Sequence, residues 1–134
     1  MKRFALPFVT LAMLLAGCPF GLATQDITVR NESVHAITDI TLSYEHSGNG
    51  LQTIRIDAMQ AGQTRTFTVR TKNASLMTYM SRAEIEYTMN DRKYNSANNP
   101  LEPAEYMNSA LLGESTNARF TVKNEGFVAD SYSK

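Results

Sequence analysis

The residues of this chain that could carry chemistry are few and widely spaced. Cys18 is the only cysteine, so its thiol is the strongest candidate nucleophile and no intrachain disulfide can form. Neither His35 nor His46 has a partner at metal-site spacing, and no Gly-x-Ser-x-Gly motif presents a serine. Glu84 and Glu86 pair two carboxylates on a predicted strand, where a solvated surface is the ordinary environment. The sequence therefore predicts no catalytic site, no metal site and no cofactor, and we do not expect an enzyme.

Cys18 stands at the end of a leader that precedes the folded part. Met1-Lys2-Arg3 is a short cationic start, and residues 4–17 contain no charged side chain. That run is too short to cross the bilayer as a helix, which takes roughly 20 residues, and Pro7 would interrupt such a helix. Its composition is typical of a secretory signal peptide, so residues 1–17 are predicted to be removed rather than folded.

Leu15-Ala16-Gly17-Cys18 resembles the lipobox of bacterial lipoprotein precursors, with Leu at the third position before the cysteine and small residues between. The resemblance implies cleavage before Cys18, a diacylglycerol on its sulfur, acylation (palmitate, for example) and attachment to the cell envelope outside the inner membrane. Pro19 follows the cysteine, where Asp would retain the protein at the inner membrane. A Gram-negative host would then place it on the periplasmic face of the outer membrane; a Gram-positive host stays open.

A second cleavage site competes with the first. Gly21-Leu22-Ala23 has the small-x-small pattern that ordinary signal peptidase cuts. Cleavage there would discard Cys18 and release a soluble secreted or periplasmic domain that begins at Thr24.

The rest of the chain is long enough for one domain with its own core. We expect a tether at residues 18–25, a sandwich domain at 26–126 and a polar tail at 127–134. The whole chain has 13 basic and 13 acidic residues, so charge gives no case for binding nucleic acid.

Alternation of apolar and polar residues predicts the fold. Strands are expected at 26–30, 40–44, 51–57, 64–71, 83–89 and 118–122. Residues 75–89 also have helical spacing, but a strand at 83–89 is favoured, with a hairpin at Asn90-Asp91-Arg92. Pro103 and Gly113 bracket a predicted short helical insertion at 103–112. The fold class is mainly β, a single antiparallel β-sandwich of about seven strands. It resembles immunoglobulin-like and transthyretin-like domains.

Two surfaces are candidates for recognition. If strands 51–57 and 64–71 pair, their outward residues form one face of hydroxyl and guanidinium groups that could receive carboxylates. That candidate face consists of Thr53, Arg55, Thr66, Thr68 and Arg70. The candidate recognition loops are at Asn49, Gly50, Asn98 and Asn99.

The function predicted from these features is that of a non-enzymatic binding or accessory module on the envelope. It could be an assembly subunit, an inhibitor or immunity protein, or a ligand-recognition domain, with a protein or glycan partner. The alternative is a small hydrolase acting on envelope polymers. Its candidate residues are His35, His46, Asp57, Glu84 and Glu86.

Overall fold

Nine β-strands make up the regular structure of the part of the chain that the computed structural model describes, which is residues 22–46, 50–72, 81–101, 109–112 and 116–133. Their bounds are β1 (Leu22–Asn31), β2 (Ile37–His46), β3 (Gly50–Met59), β4 (Thr64–Lys72), β5 (Ser81–Met89), β6 (Arg92–Tyr94), β7 (Ala110–Leu112), β8 (Thr116–Lys123) and β9 (Gly126–Ser133). The predicted signal peptide and Cys18 lie outside the described residues.

The strands form two sheets that pack as a β-sandwich, as the sequence predicts. The four-stranded sheet has the order β4-β1-β8-β9, and the five-stranded sheet has β3-β2-β5-β6 with β7 paired to the other part of β5. All pairs are antiparallel except β1 with β8, where Val29 lies beside Phe120. The predicted strand at 83–89 is confirmed as part of β5.

The core lies between the sheets and comes from the inward half of each alternating strand. Ile27 and Val29 of β1 and Phe120 of β8 are fully buried against Leu42 and Ile85 of the other sheet. Full burial of one such side chain contributes about 1.5–3 kcal/mol. Apolar burial between the inner faces therefore stabilises the packing of the two sheets.

The predicted hairpin after β5 is confirmed. Asn90 and Asp91 have φ values of 51° and 61°, the left-handed conformation that two-residue hairpin turns require and that Asn and Asp tolerate. The turn returns the chain into β6, whose Tyr94 stacks on Tyr87 with ring centroids 5.2 Å apart.

The C-terminal end of the predicted helical insertion at 103–112 is wrong. Residues 110–112 form β7, which pairs with β5 so that Ala83 lies beside Ala110. Ala110 and Leu112 both point into the core, which is strand spacing, and β7 satisfies backbone groups at the start of β5. Residues 102–108 lie outside the described part of the chain.

The expected tether and tail are shorter than predicted. β1 already begins at Leu22 and extends along β4, so residues 22–25 belong to the sheet. The predicted tail at 127–134 is strand β9 over most of its length. Phe127 is fully buried and packs edge-on against Phe120, and Arg119 with Asp130 ties β9 to β8 on the outer side. Few residues of this segment are apolar, so its sequence shows no clear alternation and resembles a polar tail.

Replacing Tyr87 with Phe is expected to leave the free energy of unfolding unchanged at neutral pH or to raise it by up to about 1 kcal/mol. The Tyr87 hydroxyl is buried and has no hydrogen-bond partner in the described structure. Burial, and then the neighbouring Tyr94, raise the pKa of Tyr87 above its usual range.

The folded chain therefore keeps this phenol protonated at a pH where the unfolded chain ionises. Ionisation of Tyr87 therefore does not affect the free energy of unfolding below about pH 10, and it lowers that free energy as the pH rises from there towards the folded-state pKa. The unchanged protein should thus lose stability above about pH 10 more steeply than Tyr87→Phe. Urea titrations at about pH 8 and about pH 11 compare the two. A large loss in the variant at pH 8, or parallel declines at high pH, would contradict this.

Candidate binding groove on the five-stranded sheet

The outer face of the five-stranded sheet presents polar residues that alternate with the core. Along β2, Leu42 points inwards and is fully buried, whereas Thr41 and Ser43 point outwards. The same alternation places Thr53 and Arg55 of β3 and Glu84 and Glu86 of β5 outside.

Strand register brings these outward residues into two rows. Ser43 lies between Thr53 and Glu84, and Thr41 lies between Arg55 and Glu86. The central strand carries short hydroxyl side chains and its neighbours carry mostly longer ones, so a groove runs along β2. We call this the Ser43 groove: its floor is Thr41 and Ser43, and its walls are Thr53 with Arg55 and Glu84 with Glu86.

Shallow pockets follow this groove. One of about 230 Å³ is lined by Ser43, Glu84 and Glu86 with residues 95–97, and a second of about 260 Å³ by Ser43, Glu84, Leu51 and Arg82. Both are smaller than the roughly 300–1,000 Å³ of typical small-molecule sites. The shape suits an extended segment lying along the sheet better than an enclosed small ligand.

The walls of the groove carry opposite charges. Glu86 forms an ion pair with Lys93 at 3.1 Å. Arg55 and Glu84 are exposed, and neither forms an ion pair with any other described residue at the 4 Å limit of such a contact. Their strands are separated by β2 and therefore lie about 10 Å apart. The groove can thus accept an anionic group on one wall and a cationic or hydroxyl group on the other.

The outer face of the four-stranded sheet is different because its polar groups satisfy one another. Thr66 and Thr28 hydroxyls are 3.1 Å apart, and the Thr68 hydroxyl donates to Asp26 at 2.9 Å. Arg119 forms a two-pronged ion pair with Asp130, which raises the pKa of Arg119.

The predicted pairing of strands 51–57 and 64–71 is wrong. β3 and β4 are edge strands of different sheets, so Thr53 and Arg55 lie on the outer face of one sheet and Thr66 and Thr68 on that of the other. Arg70 lies in β4, beside Thr24 of β1. The chain crosses between sheets at residues 60–63.

Hydrogen bonds to β1 fix this crossing. The Asn31 amide donates to the Gln63 carbonyl at 2.9 Å, and the Gly62 amide donates to the Asn31 carbonyl at 2.7 Å. Gly62 has a φ of 82°, which favours glycine. This turn therefore places β4 beside β1 and not beside β3.

The candidate recognition loops divide into exposed and structural residues. Gly50 is exposed at the start of β3, and Asn98 is exposed with its amide donating to the Lys93 carbonyl at 2.7 Å. Asn99 is buried, and its amide donates to the Phe127 carbonyl at 2.6 Å. Asn99 therefore holds the 95–101 loop against β9. Asn49 lies outside the described residues.

The histidines and acids of the alternative hypothesis are spread over three strands and one loop. His35 lies in the loop between β1 and β2, where its carbonyl accepts from Asn31 at 2.8 Å. His46 ends β2, Asp57 lies on β3 and the two glutamates lie on β5. Among the residues described, no group of three His, Cys, Asp or Glu could hold a metal ion.

No helix in the described structure has the length and apolar character of a membrane span.

Comparison with known proteins gives distant structural similarity only. No family model matches the chain, and no curated protein matches it. A protein from Eubacterium rectale, solved by NMR, has 11% identity and a TM-score of 0.48 over 82% of this chain and 87% of its own. A crystal structure of the human-specific toxin intermedilysin has 9% identity and a TM-score of 0.36 over 83% of this chain and 23% of its own. At these values neither structure carries an argument about function.

Proposed function

We propose that this chain is an envelope lipoprotein, anchored through lipid on Cys18 outside the inner membrane, whose sandwich is a non-enzymatic binding module. The observation that carries the anchor is Leu15-Ala16-Gly17-Cys18 at the end of an uncharged leader. Two or more acyl chains on one residue give stable attachment, since each buried CH₂ contributes about 0.8 kcal/mol.

The start of β1 supports cleavage at Cys18 over cleavage after Ala23. Leu22 and Ala23 are already strand residues, beside Lys72 and Thr71 of β4. Cleavage after Ala23 would remove both from the sheet, whereas cleavage before Cys18 keeps the strand whole.

The Ser43 groove supports the binding role. It is open, it lies along a rigid sheet, and it offers Arg55 and Glu84 with no ion pair to another described residue. Complementary charges steer a partner and set its register more than they set raw affinity. The partner that best fits is an extended protein segment of the envelope that carries both signs of charge.

Cys18→Ser is expected to abolish incorporation of radiolabelled palmitate, because the acceptor thiol is gone. Mass spectrometry of the unchanged protein from membranes should find Cys18 as the modified first residue. Thr10→Ser, in the same leader, is the control and should label normally. A mature chain that begins at Thr24, or label that persists in Cys18→Ser, would refute the anchor.

Charge reversal in the groove is expected to weaken partner contact by roughly three- to tenfold, corresponding to about 1 kcal/mol. A photoreactive amino acid at Ser43 should form an adduct in cells, and Glu84→Lys or Arg55→Glu should reduce its yield. Glu125→Lys makes the same change of charge as Glu84→Lys, but at an exposed turn residue, and should leave the yield unchanged. The same probe at Thr121, on the other sheet, should give little adduct. Equal adducts at Ser43 and Thr121, or yields indifferent to Glu84→Lys, would count against the groove.

A further inference from the structure

We propose that the sandwich stands on the membrane by one defined end, with the start of β1 towards the lipid and the end of β1 pointing away. This inference rests on the proposed lipid anchor at Cys18. It adds a fixed orientation, which the lipid alone does not give.

The two ends of the sandwich follow from strand direction. In the four-stranded sheet, Leu22 lies beside Lys72 in register, and the same end holds the start of β8 and the end of β9, where Thr116 lies beside Ser133. We call this the Leu22 end. The opposite end, the Asn31 end, holds the close of β1 and the 60–63 crossing.

Short connections show which strand ends of the five-stranded sheet lie at the Asn31 end and which lie at the Leu22 end. β1 passes into β2 through residues 32–36, and the Asn31 side chain also contacts the Met59 carbonyl at the close of β3. The start of β2 and the close of β3 therefore lie at the Asn31 end. The paired residues His46 and Gly50 lie at the Leu22 end.

Chain length limits how far the lipid can be from the Leu22 end. Four Cα steps separate Cys18 from Leu22, and they span at most about 14 Å. β1 itself rises about 30 Å from Leu22 to Asn31. β1 is an interior strand over residues 27–31, with β4 on one side and β8 on the other, and its first residues continue along β4 alone. The tether therefore continues the line of a strand that is fixed within the sheet.

This orientation has a consequence for partners. The Asn31 end presents residues 32–36, the 90–91 hairpin and the 124–125 turn to the space beyond the membrane. The Ser43 groove runs outwards from the lipid along β2. A partner would approach from the side or from outside, and Leu51, which lines the pocket next to Ser43, lies beyond the membrane-facing end of the groove.

Two exposed apolar residues supply matched probe positions. Val34, in the 32–36 loop, is 71% exposed, and Leu51, near the start of β3, is 65% exposed. Because Cys18 is the only cysteine and its thiol is consumed by lipid, Val34→Cys and Leu51→Cys each give one reactive thiol for a fluorophore. The full lipidated chains would be reconstituted into phosphatidylcholine vesicles that carry a quencher on a fraction of headgroups.

The label at Leu51→Cys is expected to be quenched roughly threefold more than the label at Val34→Cys, because their heights differ by about 25–30 Å. A ten-residue Gly/Ser spacer between Gly21 and Leu22 adds a mean reach of about 16–19 Å and should remove most of that difference while attachment persists. Circular dichroism of each variant checks that the sheet content is retained.

Equal quenching at both positions without the spacer, or stronger quenching at Val34→Cys, would overturn the orientation while leaving the anchor intact. A chain that carries no lipid and does not attach to the vesicles would instead overturn the proposed anchor, and the orientation with it.

Discussion

Asn31→Ala is expected to lower the free energy of unfolding by about 2–4 kcal/mol, because it removes the buried side-chain amide that joins β1 to residues 33–35 and 59–60. Asn31 is fully buried. Its Nδ2 donates to the His35 carbonyl at 2.8 Å and to the Gln60 carbonyl at 3.2 Å. Its Oδ1 accepts from the Ser33 amide at 3.1 Å and the Ser33 hydroxyl at 2.6 Å. Alanine would leave the Ser33 amide without this acceptor and would remove one donor from each carbonyl. The His35 carbonyl would keep its bond from the Ser33 hydroxyl, and the Gln60 carbonyl would keep its bond from the Gln63 amide.

Asn31→Asp tests the same network with almost no change in shape. It keeps the acceptor that faces Ser33 but replaces the donor with an oxygen that faces three carbonyls, those of His35, Met59 and Gln60. We therefore expect a loss at least as large as that of Asn31→Ala. Urea unfolding of the full chain, followed by circular dichroism because the chain has no tryptophan, measures both.

Asn98→Ala is the matched control. Asn98 also bonds backbone groups, donating to the Lys93 carbonyl and accepting from the Asn95 amide at 2.8 Å, but it is exposed and water can replace it. Its loss should cost no more than about 1 kcal/mol. Similar costs at Asn31 and Asn98 would show that burial of the amide does not set the stability of this crossing.

The positions of the strands follow from local alternation, whereas the pairing of the strands depends on residues far apart in the chain. Alternation over five residues is enough to predict the strands around Ile27, Leu42, Ile56 and Phe120, since inward and outward positions follow from period two. The choice of partner strand is set elsewhere. β3 and β4 are consecutive and joined by a short turn, yet the bonds from Asn31 to residues 62 and 63 send them to different sheets.

Distant pairing also explains why the strand at the C-terminal end escapes prediction. β9 has only Phe127 and Val128 as large apolar residues at its start, and it becomes a strand because β8 offers an unpaired edge. The parallel pairing of Ile27 with Ala118 joins residues far apart in the chain. No local pattern reports it.

The candidate groove is half visible in the sequence. The outward positions of Arg55, Glu84 and Glu86 follow from alternation, and the structure bears these positions out. Their assembly on one face, around Ser43, depends on β2 pairing with both β3 and β5. In the sequence, only the short outward side chains of Thr41 and Ser43 indicate that β2 could form the floor of a groove.

Gly126→Ala is expected to lower the free energy of unfolding by about 2–4 kcal/mol, because it places a methyl group in the closest contact between the 95–101 loop and β9. A Cβ at this position would overlap the Asn99 Oδ1 and lie 3.2 Å from both Leu101 Cγ and Pro100 Cδ. Asn99 cannot move aside freely, since its Nδ2 donates to the Phe127 carbonyl and its Oδ1 accepts from the Phe127 amide at 3.0 Å.

Gly126 has a φ of 156°, so an alanine there also carries backbone strain. Gly62→Ala gives the cost of an alanine at positive φ without a clash. Gly62 has a φ of 82°, and a methyl group added there would meet no atom within 4 Å, so only the left-handed backbone is penalised, by about 1–2 kcal/mol. Because Asn99 is the obstructing group, Gly126→Ala combined with Asn99→Ala should cost less than the sum of the two single changes. Strict additivity, or equal losses at Gly62 and Gly126, would mean that the loop does not depend on close approach to β9. A sub-additive result would identify Asn99 as the side chain through which the 95–101 loop, beside the Ser43 groove, is held to the edge strand of the opposite sheet.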